Sequence, residues 1–264
     1  MATLRNTVTS TNATTSLGGT VASSDTVIFQ EGATEYVAGT DLDAYDLTAI
    51  TLTEGFRGTF KKALGGQLSL VSSAGTLLNQ SPASQIDVKS SSVAAGVATV
   101  IHAGSGDMTF ETMVVANLYA VSGRAVVAAG ANLTNAYVVG GTLTIDADGS
   151  YALTAVEVGA GNLTCNRDFG TLTMRGGKVT LQAAAITATT LTMHGGTLDL
   201  RNATTIGTLN GYGGVLDLTQ AERVPVFTTS LHWPSLTIKM RHGQTEPTWG
   251  TLTSVGTGAR RVYV

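Results

Sequence analysis

Thr171-Leu-Thr-Met-Arg-Gly-Gly-Lys-Val-Thr-Leu181, Thr190-Leu-Thr-Met-His-Gly-Gly-Thr-Leu-Asp-Leu200 and Thr208-Leu-Asn-Gly-Tyr-Gly-Gly-Val-Leu-Asp-Leu218 are three versions of one phrase. Aligned on Gly176, Gly195 and Gly213, they are offset by 19 and then 18 residues, a period that marks a repeat architecture. Within each copy apolar and polar residues alternate. Leu191, Met193, Leu198 and Leu200 take one face, and Thr190, Thr192, Thr197 and Asp199 take the other, which is strand periodicity. Each copy therefore reads as two short strands hinged at Gly-Gly, where a residue without a Cβ adopts the positive φ of a sharp corner.

Looser versions of the second strand lie upstream at Gly161-Asn-Leu-Thr-Cys165, Gly141-Thr-Leu-Thr-Ile145, Gly123-Arg-Ala-Val-Val127 and Gly106-Asp-Met-Thr-Phe110. The central apolar residue then falls at 108, 125, 143, 163, 179, 198 and 216, a mean spacing of 18. Strand pairs recurring in one direction at that spacing predict an all-β fold, a parallel β-helix (β-solenoid) with about 18 residues per coil. A β-sandwich also has short alternating strands. It does not require Gly-Gly to recur in step with the same apolar columns, and it ranks second.

Outward from the repeat, the chain divides by composition. Residues 1–24 are rich in Thr, Ser and Asn, and suggest an extended arm ordered by a partner. Thr26-Val-Ile-Phe29 and Tyr45-Asp-Leu-Thr-Ala-Ile-Thr-Leu52 read as first turns or a β cap, so 1–60 is taken as N-terminal arm and cap. Gly55-Phe-Arg-Gly-Thr-Phe-Lys-Lys62 breaks the pattern and reads as a loop. Residues 61–220 form the shaft, with a blurred register before 105. After Leu218 the phrase stops, and 221–264 holds three of the four prolines and both tryptophans. This reads as a C-terminal cap and attachment region, with strands at Ser235–Met240 and Gly250–Val255.

Only 12% of the 264 residues are charged and Gly numbers 32, a balance suited to strands and tight corners rather than disorder. The net charge of −3 is unevenly placed. Residues 1–60 carry seven acidic side chains against Arg5 and Arg57; residues 221–264 carry five basic side chains against Glu222 and Glu246. Opposite signs at the two ends suit two solvated end pieces, the first reading, or else end-to-end or subunit contacts. No basic stripe with interleaved aromatics speaks for nucleic acid. No apolar run approaches the ~18 residues of a membrane span, and the first residues lack the apolar block of a secretory signal. The single Cys165 excludes an internal disulfide framework and sits in the apolar column of Ile145, Leu181, Leu200 and Leu218, as a core residue. The sequons at Asn12, Asn132, Asn162 and Asn202 suit corners, where Asn bonds the backbone.

Few constellations bear on chemistry. Asp199 and Asp217 share one outward column, with backbones about 4.8 Å apart. Carboxyls about 5–5.5 Å apart are the geometry of retaining glycosidases, though Lys178 and Arg201 stand near enough to neutralise them. Asp146-Ala-Asp-Gly149 begins like a calcium loop but lacks its distal Glu, and reads as a turn. Arg175, His194 and Tyr212 form a second outward column before the corner. It suits a sugar or an anion, or it simply ties neighbouring strands by a few tenths of a kcal/mol each. The four histidines show no metal-ligand spacing, and no nucleophile elbow, phosphate loop or dinucleotide fingerprint is present. No metal or cofactor is expected. Trp233 and Trp249, with Arg241, Arg260 and Arg261, are candidates for a partner interface, because aromatic and Arg side chains favour interface cores. The aromatic pair equally suits the core of a small cap.

The Thr-Leu-Thr-Met-x-Gly-Gly-x-Leu-x-Leu coils, the Thr-rich arm and the C-terminal cap resemble the β-helical virion proteins of tailed bacteriophages: head decoration or cement proteins, short fibres and spikes. The resemblance implies a structural, non-enzymatic subunit, made in the host cytoplasm and located in the virion. It further implies a homo-oligomer, typically a trimer, gripping a capsid or other virion protein through its ends, with a cell-surface glycan as a possible further partner. The other reading is a carbohydrate-active or carbohydrate-binding β-helix working through Asp199, Asp217 and the Arg175 column. Adhesins with similar coils carry a signal peptide, which counts against that branch.

Overall fold

The structure, a computed structural model, describes residues 3–5, 20–22, 24–30, 35–36, 47–60, 68–70, 74–82, 85–90, 96–146, 153–183, 186–202 and 204–264. The described residues contain strands and no helix, and the strands pair in parallel as a β-solenoid of about ten turns with roughly 19 residues per turn. The chain forms two compact units, 1–135 and 136–264.

In the C-terminal unit the long strands Leu153–Val158, Phe169–Met174, Ile186–Met193, Thr204–Gly211, Val226–His232 and Thr248–Ser254 lie side by side in that order. The short strands Thr142–Ile145, Asn162–Cys165, Lys178–Leu181, Thr197–Leu200, Gly214–Asp217, Leu236–Met240 and Arg260–Tyr263 form the second sheet in the same order. Registers follow the repeat. Leu172 pairs with Leu191 and Leu191 with Leu209, while Val179 pairs with Leu198 and Leu198 with Leu216. All six of these side chains are buried, as are Met174, Met193, Leu181, Leu200 and Leu218. Cys165 pairs with Ile145 and Leu181 in the same interior, and burial pushes its thiol up to about 11.

Two kinds of corner shape each turn. At Gly-Gly the second glycine is left-handed, with φ of +67° at Gly177, +81° at Gly196 and +92° at Gly214. The second corner lies inside the long strand, where alternation breaks phase between Ala188 and Thr190. Thr and Gly alternate there from turn to turn: Thr154, Gly170, Thr189, Gly207, Thr228, Gly250. A Cβ on Gly207 would lie 2.7 Å from the Thr189 carbonyl oxygen, so the bend is stacked too tightly for any side chain at every second level.

In the N-terminal unit Thr3–Arg5, Thr26–Phe29, Ala49–Leu52, Ala74–Asn79, Gly96–His102 and Val114–Ala120 are successive parallel neighbours. Glu35–Tyr36, Thr59–Phe60, Gln85–Ser90, Asp107–Glu111 and Arg124–Val127 make the second ladder, with Leu68–Leu70 also beside Gln85–Ser90. Turns here are longer. Val27 pairs with Ile50, 23 positions on; Ile50 with Leu77, 27 on; Leu77 with Val100, 23 on; and only Val100 with Leu118 returns to 18.

Several expectations change. Of the Gly55–Lys62 stretch, 55–58 is the expected loop, but it is not a solvated one and it ends in a strand. Phe56 and Phe60 are buried with Phe29, with ring centroids 5.4 to 6.0 Å apart, and Thr59–Phe60 is a strand. Lys61 and Lys62 lie outside the described residues. Thr3–Arg5 is the first strand, while most of the expected arm is outside the described residues, as is 147–150 of the Asp-Gly turn. Neither ladder is interrupted at 60 or at 220. Val226–His232 and Leu236–Met240 pair in register with the repeat strands before them, and Thr248–Ser254 and Arg260–Tyr263 follow. The phrase fades there because turns lengthen: Ile206 pairs with Phe227, 21 on, and Phe227 with Trp249, 22 on.

Candidate functional site

Asp199 and Asp217 stand on adjacent strands in direct register, as the repeat requires. Their environments differ. The Asp199 carboxylate is buried, and its Oδ2 accepts from Arg201 Nη2 at 3.1 Å and Nε at 3.2 Å, with Lys178 Nζ at 3.6 Å. Lys178 and Arg201 are half-exposed, so their stems lie over Asp199 while their charges stay wet. Asp217 turns instead to its own strand end, accepting from the backbone N–H of Thr219 at 3.0 Å and its hydroxyl at 2.6 Å. One carboxylate is an ion-pair centre and the other caps a turn, so each is committed to different groups. Asp199 Oδ1 is buried without a hydrogen-bond partner.

The second column is longer than three. Met174, Met193, Gly211 and His232 are successive partners, which puts Arg175, His194, Tyr212 and Trp233 on successive turns at the next position. His194 and Tyr212 stack with centroids 5.1 Å apart and planes 8° from parallel, and Trp233 follows at 5.9 Å, tilted 53°. The His194–Tyr212 pair covers ring faces with ring faces and shows its edges to solvent. A pyranose stacks on faces, and the exposed Trp233 at the end of this ladder offers one.

The interface candidates separate. Trp233 is on the surface. Trp249 points inward, parallel to Phe227 at 4.6 Å and edge-on to His232 at 4.7 Å. Arg241 Nη2 donates to the Ala221 carbonyl at 3.1 Å, Arg261 pairs with Glu246 at 2.6 Å, and Arg260 is exposed. Beneath Trp249 the interior turns polar: Ser230 and His232 occupy inward positions in register with Leu209 and Gly211. Ser230 Oγ, His232 Nε2 and Trp249 Nε1 are all buried without partners. Burial, with Arg261 adding to it, lowers His232 to about 4, so the ring is neutral at pH 7.

A second polar interior, in the N-terminal unit, is fully paired. Asn79 and His102 are register partners. Asn79 Nδ2 donates to His102 Nδ1 at 3.1 Å, and His102 Nε2–H donates to the Gly106 carbonyl at 3.1 Å. Asn79 Oδ1 accepts from the Ser81 N–H at 2.9 Å, and burial holds His102 below its usual range. Sequence reading missed both interiors. The available signal was a polar residue at an inward phase, as in Val100-Ile-His102. Among the described residues no three His, Cys, Asp or Glu side chains converge on a metal position. A shallow groove of about 430 Å³ runs along the second corner by Thr154, Asp168 and Thr187, but Asp168 already accepts the Thr187 N–H at 2.7 Å. No helix among the described residues is long and apolar enough to cross a membrane. Compared with protein-family models, curated proteins and solved structures, the chain finds no match.

Proposed function

We propose that the chain is a structural subunit of a tailed-bacteriophage particle, a capsid decoration (cement) or short fibre protein. In this reading it acts by assembling with copies of itself, as a trimer, and with a capsid or other virion protein. What carries the reading is the use made of the candidate carboxylates: Asp199 is spent on Arg201 and Lys178, and Asp217 on Thr219. Side chains that an enzyme would hold free for substrate are here committed to neighbouring groups, and the Lys178–Asp199 pair ties one turn to the next. The continuous parallel ladders within each unit suit a load-bearing part, since each turn is covered by its neighbours. The test has two arms. The purified chain and an Asp199→Asn/Asp217→Asn variant are assayed on a polysaccharide panel, and the chain is mixed with empty phage capsids and imaged. Capsid binding without turnover is expected. Turnover that the double variant abolishes would overturn the proposal.

A second reading, a glycan-contacting surface, is favoured by one observation: Trp233 extends the Arg175–His194–Tyr212 column to four turns. Glycan-array binding lost in Trp233→Ala and kept in His194→Ala would place the contact on the exposed indole face.

A further inference from the structure

Inner turns of the C-terminal unit are covered on both sides by their neighbours, and the last turn is not. Thr248–Ser254 pairs on one side with Val226–His232 and is terminal in its sheet. Proteins protect such an edge with charge, proline or a bulge. From Thr248 to Gly258 there is no charged residue and no proline. The companion edge strand, Arg260–Tyr263, is guarded by contrast: it carries two arginines, and Glu246 holds both Arg261 and the Tyr263 hydroxyl. The interior is also open at this level. Leu209 is 0% exposed, whereas Leu252, two turns along in the same column, is 41% exposed; Leu218 is 0% exposed, and Tyr263 in its column is 50% exposed.

A free uncharged edge beside an uncovered apolar column is what one more turn would bury. We propose that this end receives the first turn of a second copy of the chain, stacked head to tail so that the parallel ladder continues. Two observations select a second copy. The edge left free by Thr248–Ser254 is the one through which every preceding strand of its ladder receives the next. Among the described residues Thr3–Arg5 is the other terminal strand of this ladder, and its edge away from Thr26–Phe29 has the opposite sense. The charges also match, since residues 221–264 sum to +3 and residues 1–60 to −5. A head-to-tail contact joins two different surfaces; it gives a ring where the rotation between copies closes and an open series where it does not, and we take a ladder continued from copy to copy as the open case. The inference rests on the free edge and holds whether or not the chain belongs to a virion.

Sedimentation velocity on the full chain tests it, over a concentration series at low salt and at about 0.5 M salt, where charge attraction is screened within a few ångströms. Wild type is expected to show an open series of masses that grows with concentration and shrinks in salt. Leu252→Lys puts a charge into the open column at a position already exposed, and is expected to stop the growth of mass with concentration, leaving one species of fixed mass with an unchanged melting temperature. Arg260→Glu, exposed and outside the uncharged strand, is expected to weaken association at low salt only, and decides the matter alone if Leu252→Lys fails to fold. A monomer at every concentration overturns the proposal. So does a closed oligomer of fixed mass that neither variant alters, a result that would leave the virion reading standing.

Discussion

Leu198→Asp asks whether the interior is where the repeat puts it. Leu198 is 0% exposed and lies between Val179 and Leu216, its partners on the turns before and after. Removing a buried leucine forfeits about 2–3 kcal/mol of apolar transfer. Placing a carboxyl there, ionised or forced to hold its proton, adds several kcal/mol more, because neither stacked neighbour offers a hydrogen bond. A total of at least ~5 kcal/mol is a large share of the ~5–15 kcal/mol that keeps a domain folded. It corresponds to a fall in melting temperature of roughly 10–20 °C for a chain of this size. Thr197→Asp is the control one residue away. Thr197 faces outward beside Lys178, and the change should stay within ~0.5 kcal/mol. Far-UV circular dichroism melts of both variants, run beside wild type, give the comparison. Equal losses for Asp at 197 and 198 would refute the assignment of faces.

Gly196→Ala should destabilise by about 1–3 kcal/mol, since φ is +81° and the added methyl would lie 2.5 Å from the Gly176 carbonyl oxygen. Gly243→Ala, with φ +76° but open space around it, carries only the conformational part, so urea unfolding should rank it clearly milder. His232 is held at about 4 in the folded chain against ~6.5 unfolded, so its contribution is complete above pH 6.5 and is lost as pH falls toward 4. His232→Gln should therefore flatten the decline in melting temperature across that window; an unchanged slope would mean the ring is not buried. Asp199→Asn removes the partner of two cations at a buried position and should cost about 1–3 kcal/mol, against less than ~1 kcal/mol for Asp217→Asn, by the same melts.

The fold was legible where turns keep close to one length, 16 to 20 residues, and inward residues are alike, from Gly106 to Leu218. There Leu191 over Leu172 and Leu198 over Val179 repeat the same choice in sequence and in space. It was illegible where loops change the length of a turn. The ladder from Val27 through Ile50 and Leu77 to Val100 is as regular as the rest, but unequal insertions hide its period. Phe56 escaped because its neighbours Gly55 and Gly58 are loop-like, although the ring packs against Phe29. Beyond 220 the inward positions hold Ser230 and His232, so alternation in apolarity vanished while alternation in direction persisted. At the candidate site, periodicity placed Asp199 on the outer face correctly. It had no means of showing that Lys178 and Arg201 fold over that face and bury it. Likewise Trp233 joins the column of Tyr212 through register alone, because its corner is Trp-Pro-Ser where its predecessors have x-Gly-Gly.

The central claim is that chemically similar residues on successive turns are direct parallel neighbours, and paired cysteines test it in the intact chain. Thr173 and Thr192 are register partners on the outer face of the long-strand sheet. At the ~4.8 Å spacing of adjacent strands, a Thr173→Cys/Thr192→Cys pair lies within disulfide reach. Cys165 is buried and stays out of the exchange. Mild oxidation should close this pair readily within one chain and leave Thr173→Cys/Thr208→Cys, a turn further off, open. Closure of the distant pair with the register pair unreacted would contradict the stacking on which the whole account depends.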